Sequence, residues 1–353
     1  MRIALITDTH WGVRNDNAIF YDYTKQFLDN VFFPLIDAEK IDTVIHLGDL
    51  VDRRKYINFL TAKRLREDFM QPIKDRGIDF HLILGNHDVY YKNTNDVNAI
   101  AELYGEVKRY ERAEEVTIGD SKMLFIPWIT ADNREHSIDM IKKSSAPIAL
   151  GHLELNGFEM FRGSISTHGE DASMFDKFDM VCSGHFHHKS TTGNINYLGS
   201  HSEFTWSDFD DDRGFHILDT NTRNIGFVRN PYTVFKKIWY NDEDTKFSID
   251  FITNYDYASF SKKIVKVIVQ NKSNPYLFDM FIDNVEKAGP NQLQIVEDHL
   301  NLNIEDEGDI VKEAEDTMTI FKKYIEQINT TKVDKPRLEM VIQNLYNEAL
   351  SVE

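Results

Sequence analysis

Over roughly the first 220 residues, short unbroken apolar runs alternate with polar stretches of helical period, and no other feature limits the fold so tightly. The runs are IALIT (3–7), TVIHL (43–47), FHLIL (80–84), MLFIPWI (123–129), PIALG (147–151), DMVCSG (179–184) and GFHILDT (214–220). Apolar runs without internal alternation suit strands covered on both faces. Between them the period changes. In 57–76, Leu65, Phe69 and Ile73 recur every four residues, and 19–33, 95–104 and 134–145 are similar. Strand and helix in alternation give a layered α/β domain.

After about residue 230 the texture changes. YTVFKKIWY and KKIVKVIVQ alternate apolar with polar, NPYLFDMFIDNVEKAG has Pro at the start of a helical pattern and Gly past its end, and LQIVEDH offers another strand. This predicts a small α+β module over 231–302, after a main domain over 1–230. An acidic break, NIEDEGD (303–309), then precedes two helical stretches over 303–353. One carries Val311, Ala314, Met318, Phe321, Ile325 and Ile328; the other carries Leu338, Ile342, Leu345, Ala349 and Val352. Both are narrow heptad seams. They fit a hairpin packed on its own domain or one docked on a partner helix.

Of 353 residues, 40 are basic and 58 acidic, a net charge of −18. That disfavours a general electrostatic trap for nucleic acid, so any grip on a phosphate polymer needs metals, a local basic patch or a basic partner. The single cysteine, Cys182, excludes a disulfide framework and reads as a small core residue. No apolar run approaches a membrane span, and the N-terminal run meets Asp8 too soon for a signal peptide. The expectation is a soluble, cytoplasmic protein (host cytoplasm if viral), with no membrane partner.

Five motifs stand at the ends of apolar runs. They are Asp8 with His10, Asp49 with Asp52 in GDLVD, Asn86-His87-Asp88 in GNHD, His152 in GH, and His185 with His187 in GHFHH. Beyond the C-terminal ends of strands is where α/β sheets place their sites. The donors are Asp, His and Asn, with no thiolate, which suits ions such as Mn²⁺, Fe²⁺ or Zn²⁺. Asp8 and His10 are two apart, so an extended segment aims both to one side, and His185 and His187 share that relation. His188 then points elsewhere, to the surface. Glycines before Asp49, Asn86, His152 and His185 permit sharp turns. Any one motif alone also fits a capped loop or a core histidine.

Together, the motifs make the chain resemble the calcineurin-like metallophosphoesterase family, whose signature runs DxH, GDxxD, GNH[DE], GH, GHxH, and within it the SbcD-type DNA repair nucleases. GHLELNGF (151–158) and GNHDVYYKN (85–93) look most like the small subunits of T-even phage recombination endonucleases. The resemblance implies a four-layer metallophosphoesterase sandwich with a small capping domain (231–302) and a C-terminal helical hairpin (303–353). It implies two divalent metal ions, Mn²⁺ first and Mg²⁺ second. Asp8, His10, Asp49 and His187 would hold one, and Asp49, Asn86, His152 and His185 the other. Asp49 would bridge ions roughly 3.5–4 Å apart that clamp the attacking and leaving oxygens.

His87 matches the family's catalytic histidine, and Asp88 is the candidate to orient it, against a plain turn role. SbcD-type nucleases often carry a histidine where this chain has Asp52, which instead fits as a carboxylate orienting a ligand histidine. Arg53, Arg54, Lys55, Tyr91 and Lys92 are candidate DNA contacts; Trp206 and Arg213 are candidates to line the groove. His46, His81 and His216 read as packed; His136, His168, His201 and His299 as surface. The implied function is a DNA nuclease, a 3′–5′ exonuclease on double strands and endonuclease on single strands. Its partners would be DNA and an SbcC-like coiled-coil ATPase, with a homodimer inside a heterotetramer. Residues 19–35, with Phe20, Phe27, Phe32 and Phe33, are the candidate dimer surface, or simply core. The alternatives are a phosphatase or nucleotide phosphodiesterase of the same fold, and an inactive assembly subunit.

Overall fold

Two six-stranded sheets face one another, each flanked by helices on its outer side. The structure, a computed structural model, describes residues 1–244, 247–297 and 337–338. The first sheet contains β1 (Arg2–Ile6), β2 (Thr43–His46), β3 (Asp79–Ile83), β4 (Lys108–Tyr110), β13 (Gly214–Asp219) and β14 (Asn224–Arg229), in the order β14-β13-β1-β2-β3-β4. The second contains β5 (Glu114–Ile118), β6 (Ser121–Ile126), β7 (Ile148–His152), β10 (Met180–Gly184), β11 (Ser190–Thr192) and β12 (Ile195–Tyr197), in the order β11-β12-β10-β7-β6-β5. A small hairpin pairs β8 (Glu159–Phe161) with β9 (Ser164–Ile165).

Ile3, Leu5, Ile45 and Ile83 from one sheet meet Phe125, Ile148, Leu150 and Cys182 from the other in a shared core. This explains the unbroken runs: alternate residues of one strand feed the layer between the sheets, and the others feed a helix layer. On the outer side of the first sheet lie Phe27, Phe32, Leu65, Phe69 and Ile73; on that of the second, Ile141, Phe175 and Phe178. The layers are therefore helix, sheet, sheet, helix, the four-layer sandwich expected.

The run Ala18–Phe27 continues through a π-helical turn, Leu28–Phe32, into Phe33–Glu39. Phe27 and Phe32 are fully buried and Phe20 and Phe33 nearly so. These four aromatics are core, so they form no dimer surface. The exposed apolar side chains of the neighbouring segment are instead Tyr56, Phe59 and Leu60.

The small module is a parallel sheet of β15 (Phe235–Asn241), β16 (Ile264–Asn271) and β17 (Gln292–Glu297). One face packs on the helix Pro275–Lys287, whose Phe278, Phe281 and Val285 meet Ile238, Tyr240, Val265 and Val267. The module joins the main domain through Phe20, Tyr23, Phe204, Trp206, Val234, Phe235 and Ile264. Trp206 is thus buried in that joint, against Phe235 and under Lys266, and does not line a groove. His201, expected at the surface, is fully buried, with Nε2 3.2 Å from Thr24 Oγ1. The two C-terminal helical stretches lie outside the described residues, apart from Arg337 and Leu338, and so does His299.

Glu203 stitches the joint. Its Oε2 accepts N–H bonds from Val234 (2.5 Å) and Phe235 (2.9 Å), and the side chain is buried. Burial pushes its carboxyl up to about 7, against the pull of those two N–H donors. The folded state then holds a proton that the unfolded chain releases near its ordinary value of 4.5. Stability therefore falls as pH rises from about 4.5 to about 7. Glu203→Gln keeps an acceptor oxygen and needs no proton. At pH 8 it is expected to be more stable than wild type by on the order of 3 kcal/mol, and at pH 4.5 about equal. Urea melts at the two pH values check this; an equal offset at both would refute it.

Candidate metal centre and active site

The five strand-end motifs converge. Ligand atoms of Asp8, His10 and His187 lie within 4.8 Å of one another, as do those of His10, Asp49 and His87, and those of Asp8, Asp49 and His152. Asp8, His10 and Asp49 each belong to two of these groups, and Asp49 Oδ2 has three histidines around it. It lies 3.7 Å from His10 Nε2, 3.4 Å from His152 Nε2 and 4.0 Å from His87 Nε2. On one side, His10 Nε2 meets His187 Nε2 at 3.0 Å. On the other, Asn86 Oδ1 lies 3.0 Å from both His152 Nε2 and His185 Nδ1. Imidazole nitrogens, an amide oxygen and carboxylates thus gather around Asp49.

Short loops hold these side chains at the strand ends. Asp8, His10, Asp49 and His185 all have positive φ (50°, 43°, 55° and 87°). A non-glycine residue there costs of order 1–3 kcal/mol, and such strain gathers at functional sites. Gly48, at φ 99°, makes a true turn. Gly85 is needed for space instead: a Cβ there would sit 2.1 Å from Asp49 Oδ1.

Asp88 is used differently from the expectation. Its carboxylate accepts N–H bonds from Gly85, Asp49 and Leu50 at 2.9 Å each and from Val51 at 3.2 Å. It locks the GDLVD turn against the GNHD turn, with its oxygens spent on the backbone. Burial and the nearby Asp49 push its carboxyl up to about 6. His87 is oriented by another group, since its Nδ1 bonds to the main-chain carbonyl of Asp52. That acceptor requires a proton on Nδ1, which turns Nε2 toward Asp49. The Asp52 side chain lies 3.4 Å from His10 Nδ1, so one residue steadies two histidines.

The charges are mutually dependent. Burial alone would raise Asp49, but His152, His87 and His10 hold it well below the usual carboxylate range. His152, though buried, is pushed up to about 9 by Asp49. A buried anion among imidazoles, all oxygen and nitrogen donors, fits hard to borderline divalent cations.

A family model for calcineurin-like phosphoesterases matches residues 1–189. The chain belongs to that family. It is a metal-dependent phosphodiesterase with a metallophosphoesterase fold. It is 32% identical to Exonuclease subunit 1 of Enterobacteria phage T4 over 99% of both chains. It is also 37% identical, over 25% of this chain and 22% of the other, to the DNA double-strand break repair protein Mre11 of Sulfurisphaera tokodaii. A dimetal phosphatase from Danio rerio aligns over 62% of this chain and 91% of its own, at 12% identity and a TM-score of 0.38. No helix among the described residues is long and apolar enough to cross a membrane.

The candidate DNA contacts are unlike one another. Arg53 is tied to Asp16 at 2.6 Å and lies over the Tyr56 ring. Arg54 is half-buried; Lys55, Tyr91 and Lys92 are exposed. Arg213 is buried, paired with Asp208 and Asp211 at 2.9 Å, and does not line a groove. His188 turns away from the metal side, to Asp211 (2.7 Å) and Glu159 (3.2 Å).

Two aromatic side chains of the site escaped the motif reading. Trp128 lies with its ring centroid 5.0 Å from that of His185, and Phe204 packs edge-on against His10 and His187. Trp128 follows the end of β6 as the ligands follow their own strands, and that position was the available signal.

Proposed function

We propose that this chain is the two-metal DNA nuclease subunit of a complex with a coiled-coil ATPase, cutting double strands as a 3′–5′ exonuclease and single strands as an endonuclease. The observation that carries it is the position of Asp49 Oδ2 between the His10 side and the His152 side of the site. The 32% identity to a phage exonuclease subunit over 99% of both chains supports the role as a nuclease subunit, and the shorter match to a DNA double-strand break repair protein supports the DNA substrate. Asp8, His10, Asp49 and His187 would hold one ion, and Asp49, Asn86, His152 and His185 the other, with Mn²⁺ or Mg²⁺ as the metal. Bound there, the pair would supply Lewis acidity at the phosphodiester and a nucleophile at neutral pH. His87, with Nδ1 fixed by Asp52, offers Nε2 to the scissile phosphate or to the leaving oxygen. Asp52 steadies His10, and Asp88 holds the two loops in register. Lys55, Tyr91 and Lys92 are exposed for contact with the strand. Residues 1–230 would be the nuclease domain, 231–302 the cap, and 303–353, which lie outside the described residues apart from Arg337 and Leu338, the segment that docks on the ATPase within a homodimeric core.

End-labelled duplex and single-stranded DNA, incubated with Mn²⁺, Mg²⁺ or EDTA, test this. Metal-dependent cutting from the 3′ end and within single strands is expected. Hydrolysis of a chromogenic phosphodiester with no cutting of DNA, alone or with an ATPase partner, would favour a phosphatase or nucleotide phosphodiesterase of the same fold.

A further inference from the structure

We infer that Arg213 is a positioning residue of the metal centre, fixing the main chain of His187 and hence the aim of its imidazole. The inference rests on the reading of His187 as a ligand. Arg213 is buried, and its guanidinium bonds the His187 carbonyl and the side chains of Ser200, Asp208 and Asp211. Its Nη1 donates to the His187 carbonyl and, at 2.9 Å, to Ser200 Oγ. Its Nη2 donates to Asp208 and Asp211. The same His187 carbonyl accepts the Ser200 N–H at 3.1 Å, an approach that needs Gly199, where a Cβ would stand 2.7 Å from that oxygen.

Both acidic partners pass the restraint on. Asp211 also takes His188 Nδ1, so the peptide between His187 and His188 is held at its oxygen and at the next side chain. Asp208 accepts the N–H groups of Phe204 (2.7 Å) and Thr205 (2.9 Å). Phe204 in turn packs edge-on against the rings of His10 and His187. One guanidinium thus governs the backbone of the ligand and the wedge against its ring. A buried charge costs several kcal/mol in desolvation, so hydrophobic filler would serve packing alone at least as well. A planar fork with fixed donors is what simultaneous hold on a carbonyl and two carboxylates requires.

The test is calorimetric titration of EDTA-treated, dialysed full chain with Mn²⁺, alongside thermal melts. Wild type is expected to bind two ions. Arg213→Lys, which keeps the charge but not the fork, and Asp211→Asn should each weaken one of the two by roughly 10–100-fold and leave the other unchanged, as loss of a group supporting a ligand does. His187→Ala should abolish that same weakened site. If both variants fold and bind two ions as wild type does, whatever their melting temperatures, Arg213 is structural only and the inference fails. If wild type binds no ion, the ligand reading fails first, and the inference with it.

Discussion

Replacing His87 with alanine is expected to slow phosphodiester cleavage roughly 10²–10⁴-fold, the usual contribution of a positioned acid or base. Metal binding should be unaffected. The reason is that the His10–His187 and Asn86–His152–His185 sets close without His87, although His87 also falls in one cluster with His10 and Asp49. Its main-chain N–H also bonds Asp49 Oδ1 at 2.8 Å, and alanine keeps that bond. The checks are turnover on DNA and on a chromogenic phosphodiester, with metal content measured on the same sample. A variant that loses an ion along with activity would make His87 a ligand and overturn the assigned role.

Asp49→Ala is expected to lose metal as well as activity. The shared oxygen vanishes, and with it the anion that holds His152 and His10 in place. Metal content should fall below two ions per chain. Bound ions contribute several kcal/mol of charge stabilisation in the transition state, and about 1.4 kcal/mol is tenfold in rate. Activity should therefore drop by roughly 10³-fold or more. Elemental analysis after dialysis, paired with turnover, separates the two variants. Two ions retained in Asp49→Ala would show that this carboxylate does not bridge.

Much of this was legible in the sequence because the signals were local. Seven unbroken apolar runs became central strands, and the ligand motifs stand where those runs end. Strands β4, β8, β9 and β11 went unread because two or three residues are too few to set a period, and β14 went unread because its core contacts rest on two half-buried residues, Ile225 and Val228. Roles that depend on which loop meets which were also hidden. Asp88 follows His87 in sequence, yet its carboxylate binds amides of residues 49–51, some 37–39 positions away. The group that orients His87 is a main-chain carbonyl, which no residue type advertises. Arg213 and His201 occur in polar sequence, but their partners cover them, so composition pointed to the surface and packing to the interior.

The pairing of β1 bears on how the chain is made. β1 lies between β2 and β13, and Leu5 is in register with His216. The last proposed ligand, His187, leaves the ribosome well before that partner strand does. Until β13 is made, the β1 edge that it covers has no partner of its own, and open strand edges are prone to mispairing. Contacts of such long range also slow folding. The proposed ligands all lie within the first 187 residues, whereas the first sheet gains its last two strands, β13 and β14, only over residues 214–229. A fragment cut between those points would keep the chemistry's ingredients and lose their arrangement.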